Sequence, residues 1–544
     1  MALETAERDR LAPREGTGAA GLRDRALIDE GHAKQWSNRK LRMLLCCAGA
    51  PFLIMLDTNI VAVSLPAIAR DFRGAFTDVE WVISAYVLPF CALLMPAGAL
   101  ADLVGRRRML LLGLSVFTSA SVLFGLAPNL AVLNGARALQ AVGAALQLTA
   151  SLSVIGQGFE ARERVRVYAI WGTVMGIAPS LGPIVGGLVT SYFGWRWAFL
   201  INLPIGLGLI ALAVTSTDES RDPHAQRLDV PGIVLFGTGL FSIVWALIDA
   251  NAVGWTSAST LAKLSVGALL LTAFVFAERS HPRPMIDLSL FRNPTVVGAA
   301  FSMLGYAAAA QVMMTILPLY LQNAFGYGPA MAGLAMIPFA LPLLFGPAVG
   351  GKLSASLSGR ALLTLGLGLV ALGNLVVVIG ILAGLGYLAA AMGMFITGFS
   401  TGLLNSETTK AQVGAVPPER AGMAGGMAAT TRFIGIIAGV AGLGAVLAAV
   451  TEVSMRKLGT ARVPGQDVDW HALSLRIVAG DADGALSVLP APIRSALVEV
   501  VHDSVAAGFG AALTAAAGVA LLSAISSWLL IRTHGPGATA QMKG

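Results

Sequence analysis

Charge is scarce in this chain: only 12% of its 544 residues are Asp, Glu, Lys or Arg, while 56% are hydrophobic. A water-soluble domain carries about twice that charged fraction. Cysteine is nearly absent, and Cys46, Cys47 and Cys91 fall within apolar runs rather than at disulfide or metal spacings. The six histidines, His32, His224, His281, His471, His502 and His534, all lie outside the long apolar runs. No haem or metal constellation can be assembled from them, no nucleophile–base pair stands out, and no Gly-x-x-x-x-Gly-Lys-Ser/Thr loop is present to bind ATP. An enzyme, a metal centre, a cofactor and an ATP-driven pump are therefore not expected. The first forty residues are polar and of mixed charge, without a signal-peptide apolar region, and read as a disordered cytoplasmic tail.

What the chain has in excess is apolar sequence in blocks of about twenty residues, the length that crosses a bilayer as a helix. Backbone groups in lipid must be satisfied within each segment, so an all-α integral membrane protein is expected. Fourteen candidate spans fall near 43–65, 80–101, 108–127, 131–156, 166–190, 196–214, 230–249, 261–277, 296–320, 331–351, 361–383, 387–409, 423–451 and 506–531. An even number puts both ends of the chain on one side. Alternate loops carry Arg106, Arg107 and Arg108; Arg162, Arg164 and Arg166; Arg221 and Arg227; Arg279, Arg283 and Arg292; Lys352 and Arg360; Lys410 and Arg420. The intervening loops near 128–130, 250–260, 321–330 and 384–386 carry no Lys or Arg, with Arg70 and Arg73 a partial exception at 66–79. The positive-inside rule then orients the chain N-in and C-in. It also accounts for the net charge of +7 without nucleic acid. The polar stretch 452–505 reads as a solvated outer loop with short amphipathic helices at Leu473–Val478 and Ile493–Val500, the alternative being a lid or partner surface.

Four segments carry chemistry. Leu56–Pro66, in the first span, contains the acid Asp57; Gly98–Arg108 forms a charged hairpin between the second and third spans. Leu133–Gly143, in the fourth span, contains Arg137 and Gln140, and Gly182-Pro183-Ile-Val-Gly186-Gly187 in the fifth precedes the run Trp195–Pro204. In that order they resemble the fourteen-helix drug:proton antiporters of the major facilitator superfamily (the EmrB/QacA subfamily), over about residues 43–532, with departures at Asn59, Ala62, Leu103 and Ala141. The resemblance implies two six-helix bundles, 43–214 and 296–532, with two inserted helices and their linkers at 215–295, between a 1–42 tail and a 533–544 tail. It implies a multi-pass protein of the bacterial cytoplasmic (inner) membrane that exports amphipathic compounds against protons by alternating access. An exporter of one metabolite or antibiotic, or an importer of the same fold, is the alternative. The implied partners are the substrate, protons and the bilayer, with a periplasmic adaptor left open.

An ionisable residue inside a span is costly and lines a functional path by default, so Asp57 is the expected proton carrier. Its distance from the inner end of its span is about fourteen residues, roughly 20 Å, leaving about 9 Å of a 30 Å core. Arg137 lies about six residues, also roughly 9 Å, below the outer end of its own span, a depth at which it can pair with Asp57 and tune it. In the hairpin, Gly98 is expected to allow close helix approach and Gly105 a sharp turn, with Asp102 and Arg106 charged and Glu160 or Glu163 pairing with the arginines. By resemblance the set is a cytoplasmic latch; a loop that only sets topology is the simpler reading. Gly182, Pro183, Gly186 and Gly187 give the fifth span a kink and a flat face, and by resemblance mark export. Asn59, Gln140, Trp171, Gln311, Glu407 and Arg432 are candidate cavity residues, although Glu407 beside Lys410 also reads as an interfacial pair and Asp249 as solvated. With no acid in the tenth span, monocations or neutral amphipaths are expected before dications.

Overall fold

The computed structural model describes residues 36–74, 76–221, 229–280, 288–354, 356–416, 421–466 and 468–532; of the tails expected at 1–42 and 533–544, residues 1–35 and 533–544 lie outside them, while the first helix already begins at Asn38. The described chain is helical from end to end. The first half runs α1 (Asn38–Phe72), α2 (Phe76–Val104), α3 (Arg106–Gly125), α4 (Leu130–Gly158), α5 (Ala161–Phe193), α6 (Trp197–Leu200) and α7 (Asn202–Ser216). A pair follows, α8 (Val230–Val253) and α9 (Ala258–Ser280). The second half runs α10 (Pro294–Tyr306), a π-helical turn Ala307–Gln311, α11 (Met313–Phe325), α12 (Pro329–Ala335), α13 (Ile337–Leu353), α14 (Gly359–Leu382), α15 (Gly386–Gly414) and α16 (Ala421–Arg462), then short α17 (Trp470–Val478) and α18 (Ala482–Ser487), and α19 (Ala491–Leu530).

Local chemistry starts these helices where the apolar runs begin. Asn129 Oδ1 accepts from Val132 N at 2.9 Å to cap α4, and Asp229 and Asn293 cap α8 and α10, each with proline in the first turn. The outer faces stay apolar, with Leu269, Leu382, Leu388, Leu522 and Leu529 exposed, as suits helices surrounded by acyl chains rather than water. Among the described residues, eleven helices are long and apolar enough to cross a membrane, or up to twelve if α12 and α13, bent by 42°, form one span; shorter apolar stretches occupy 80–94 of α2 and 177–193 of α5.

Glycine sets the closest helix contacts. Side chains at Gly113 and Gly143 would each meet the other helix's backbone across α3–α4, and Gly373 and Gly393 repeat this across α14–α15 in the second half. Gly435 and Gly439 of α16 close in the same way on Leu304, Ala307, Ala308 and Val312, around the π-helical turn. The α8–α9 pair lies beside the seam between the halves, against α2 and α16. Asp249, read from sequence as solvated, is partly exposed and pairs with Lys263 of α9, whose ammonium stands 4.6 Å over the Trp245 ring.

The stretch 452–505 departs from the expected solvated loop. Helices α16 and α19 extend into it, so Ile493–Val500 belongs to a long helix, and the remainder packs down as a strap. Leu473, Leu475, Ile477 and Val478 are buried because α17 is amphipathic and its apolar side faces the bundle, and Leu486 of α18 is buried beside them. The strap ties both halves: Arg70 Nη1 donates to Gly480 O at 3.1 Å, and Asn323 Nδ2 donates to Val478 O at 3.1 Å. Gly480 sits at φ 96° with Pro66 against its Cα. Gly480→Val is therefore expected to lift the strap at a cost of about 1–3 kcal/mol. Protease added on that side is then expected to cut the 468–490 segment in the variant and to spare it in the parent chain; equal cleavage of the two contradicts the strap.

Candidate functional site

Asp57 lies inside the first half, fully buried, and does not touch lipid. Its Oδ2 pairs with Arg137 Nη1 from α4, and its Oδ1 accepts from Gln140 Nε2 at 3.0 Å and Asn202 Nδ2 at 2.6 Å. Ser121 of α3 closes the network, accepting from Gln140 at 2.7 Å and Asn202 at 3.2 Å. Arg137 also donates to Gln140 Oε1 at 2.6 Å, and its guanidinium lies 4.1 Å from the Tyr86 ring centroid and 5.8 Å from that of Phe124. Five helices thus meet at one neutral ion pair. The spacing 137/140 puts Arg and Gln on one face of α4, which is why both reach Asp57. Gln140, expected to line the cavity, instead belongs to this sealed cluster. Asn202, Ser121 and Tyr86 are members the sequence reading missed; a polar residue opening α7 directly after the Trp195 run was the available signal.

The glycine–proline element has two faces. Gly182 and Gly186 press α5 onto Asn59 and Ile60 of α1, so Asn59 is wedged between helices, donating to Met55 O, rather than facing a cavity. Gly187 and Pro183 press onto α12 of the other half, where side chains at Gly187 or Gly333 would strike Pro329 O or Pro183 O. Close by, Ala330 N donates to Ser191 Oγ at 2.8 Å and Gln322 Nε2 to Val63 O at 3.1 Å. These contacts, with the strap, join the halves at the end of the bundle opposite the chain termini. Near mid-span the halves also meet where Phe90 packs edge-on to Phe433, centroids 4.6 Å apart. Glu80 of α2, which the sequence reading passed over, is buried beside a small cavity on this seam lined by Leu65, Ile83, Val312, Thr315 and Val440.

At the termini-bearing end the hairpin pairs differently from expectation. Among the described residues nothing lies within 4 Å of where a Cβ of Gly98 would stand, so no close helix approach is seen there. Gly105 does make the turn, at φ 127°, with Glu219 folded directly against it. Arg108 pairs with Glu219 at 3.5 Å, Arg107 donates to Val214 O at 2.9 Å, and the Arg106 amide donates to Ser220 O at 3.0 Å. Glu163 and Glu160 are engaged elsewhere: Lys40 donates to both Glu163 oxygens, at 2.8 and 2.7 Å, and holds that carboxyl below the usual range, while Glu160 caps α5. The helix-capping role of the Glu-x-x-Glu spacing outcompetes a contact across the loop. The Asp102 side chain lies outside what the structure describes. Gly105→Ala is expected to slow transport tenfold or more while leaving insertion intact, since that backbone region and Glu219 both exclude a methyl group at about 1–3 kcal/mol. Cysteine-accessibility mapping and transport rate in the same membranes check it.

In the second half, Glu407 is buried, its carboxylate pairs with Lys410 of the same helix at 2.6 Å, and its Cγ lies beside Gly350 of α13. Trp171 is half-buried on α5, and its indole nitrogen finds no acceptor among the described residues. Gln311 and Arg432 do come together, Arg432 Nε donating to Gln311 Oε1 at 2.7 Å.

Residues 47–440 match the family model described as Major Facilitator Superfamily. The chain is 35% identical over 450 residues to the multidrug resistance protein Stp of Mycobacterium tuberculosis, covering 81% of this chain and 82% of that protein. It is 31% identical over 490 residues to the tetracenomycin C resistance and export protein of Streptomyces glaucescens, covering 88% and 90%. Among solved structures, a bacterial homologue of the human lysosomal transporter Spinster aligns over 92% of this chain and all of that chain with TM-score 0.60 at 17% identity, a likeness of fold.

Proposed function

This chain belongs to the Major Facilitator Superfamily, among its drug-efflux transporters of the bacterial inner membrane, and on that premise we propose that it exports small amphipathic compounds in exchange for protons. Fourteen spans follow if the α12–α13 pair counts as one span and α2 and α5 join the eleven helices that pass by length and composition, with both termini cytoplasmic, two six-helix bundles and α8–α9 inserted between them. The observation that carries the reading is the Asp57–Arg137 pair, buried where a charge is costly and held by three polar neighbours from separate helices.

While Asp57 is ionised, it neutralises Arg137 and draws α1 and α4 together. A proton on Asp57 ends that ion pair and leaves the guanidinium to the Tyr86 and Phe124 faces and Gln140 Oε1. The helices joined through the carboxylate are then free to shift, and the halves rock about the α5–α12 seam. One charge crossing 100 mV supplies about 2.3 kcal/mol, enough for roughly a fifty-fold gradient per net charge. Everted membrane vesicles test this directly. Adding a substrate dye should discharge the respiratory pH gradient while the dye accumulates inside; dye movement with no proton flux sinks proton coupling, and net movement the other way makes the chain an importer. The export protein for a named single compound among the relatives favours a second reading, a narrow exporter, which a resistance profile in a strain lacking its own pumps separates from a broad one.

A further inference from the structure

Among the described residues, Arg432 is a cation without a counter-charge. It stands well inside α16, its Nε held by Gln311 Oε1, its guanidinium carbon 5.6 Å from the centroid of the Tyr306 ring. Tyr306 in turn donates its hydroxyl to Asn405 Oδ1 at 3.2 Å. Among the described residues these are its polar contacts: no carboxylate pairs with it, and Nη1 and Nη2 donate to no protein group. The contrast with the other intramembrane charges is direct, since Asp57 has Arg137, Asp249 has Lys263 and Glu407 has Lys410.

The surroundings are built around this side chain. Gln311 ends the π-helical turn Ala307–Gln311, and Gly435 and Gly439 of α16 pack on that turn, so the local break in α-helical geometry brings Gln311 to Arg432. The neighbouring Phe433 contacts Phe90, and Thr430 O accepts from Cys91 Sγ at 3.6 Å, which places Arg432 where α16 of the second half meets α2 of the first. The side chain is half-buried, so its free terminal nitrogens are not sealed into the packing. Arginine stays charged under any working condition, and its planar fork matches a pair of anionic oxygens. A positive fork with no partner stabilises an incoming anion and repels a cation.

We propose that Arg432, positioned by Gln311 and Tyr306, anchors the acidic group of the transported molecule, so that the substrates are amphipathic organic anions or zwitterions bearing a carboxylate or sulfonate. This rests on the exporter reading and departs from the cationic or neutral amphipaths expected from sequence. Asp57 cannot offset it, because its charge is already spent on Arg137.

The test uses the full chain reconstituted in phosphatidylcholine vesicles free of anionic lipid, driven by an imposed pH gradient. Two anionic dyes, carboxyfluorescein and anilinonaphthalene sulfonate, are compared with two cationic dyes, ethidium and rhodamine 6G. The parent chain is expected to carry the anions; Arg432→Gln should slow them about tenfold or more, the worth of one charge-assisted contact. Arg432→Lys should retain anion preference at a few-fold lower rate, having the charge without the fork. Arg432→Glu should invert the preference toward the cations, a gain that a misfolded variant cannot produce. Cation transport by the parent chain without anion transport, or equal loss of all dyes in Arg432→Gln with no inversion in Arg432→Glu, overturns the anion site and leaves the exporter reading intact. Transport of no dye by the parent chain overturns both.

Discussion

Asp57→Asn is expected to collapse proton-driven accumulation from about fifty-fold per net charge at 100 mV to the level of passive entry. Asparagine matches aspartate in shape, so the change removes the titrating group with little change in packing volume. Its cost in stability is separate and has its own signature. Arg137 would remain buried, 1% exposed in its side chain, with no anion. Breaking a buried pair in this way costs about 3–5 kcal/mol. Removing the second charge as well, in Asp57→Asn/Arg137→Gln, should recover most of that loss while transport stays absent. Thermal stability of the purified protein in detergent, read beside vesicle accumulation, separates the two effects. If the single variant accumulates substrate normally, Asp57 is not the proton carrier. If the double variant is no more stable than the single one, the pair is not what links α1 to α4.

How much of this was legible in the sequence follows from what a linear pattern can encode. Depth along a helix is a count of residues, so Asp57 and Arg137 could be placed at one level without knowing which faces meet. Facing direction is set by neighbours, and there the reading failed: Gln140 and Asn59, polar residues on inward-facing spans, turned into helix contacts instead of the cavity. Pairing across loops was misjudged for a related reason. Glu160 and Glu163 lie on the next expected inner loop after the hairpin, but their spacing serves the start of α5, and Glu219, on the linker after α7, reaches Gly105 and Arg108. The strap was readable in part, since Leu473–Val478 has a helical apolar pattern, but a pattern does not say what lies beneath it. Glycine was the least legible of all. Gly98 and Gly187 look alike in a string of letters, yet one faces open space and the other lies against the opposite half.

That difference makes the second large effect. Gly187→Val is expected to open the seam between α5 and α12. The obstacle is the other helix's backbone, Pro329 O, with Gly333 Cα 3.2 Å from the new Cβ. It meets the Cβ itself, so no rotamer of valine escapes, and the helices must part. Overpacking of this kind costs about 1–3 kcal/mol, which shifts the closed-to-open ratio at this end by roughly five- to 150-fold. The hydrogen bond from Ala330 N to Ser191 Oγ lies on the same seam and reports on it. In a Ser191→Cys/Ala330→Cys background, disulfide formation should be rapid, with Cys46, Cys47 and Cys91 all buried and out of reach of the oxidant. Adding Gly187→Val should cut the cross-linking rate about tenfold or more and uncouple export from the proton gradient, because a seam that cannot close leaves the cavity open to both sides at once. Gly187→Ala, with the same Cβ but no branches, should fall between. Gly98→Val, where a Cβ meets nothing within 4 Å, should leave the cross-linking rate unchanged. If Gly187→Val cross-links as fast as the parent pair, the two helices are not held together by backbone contact, and the glycine–proline element serves α1 alone.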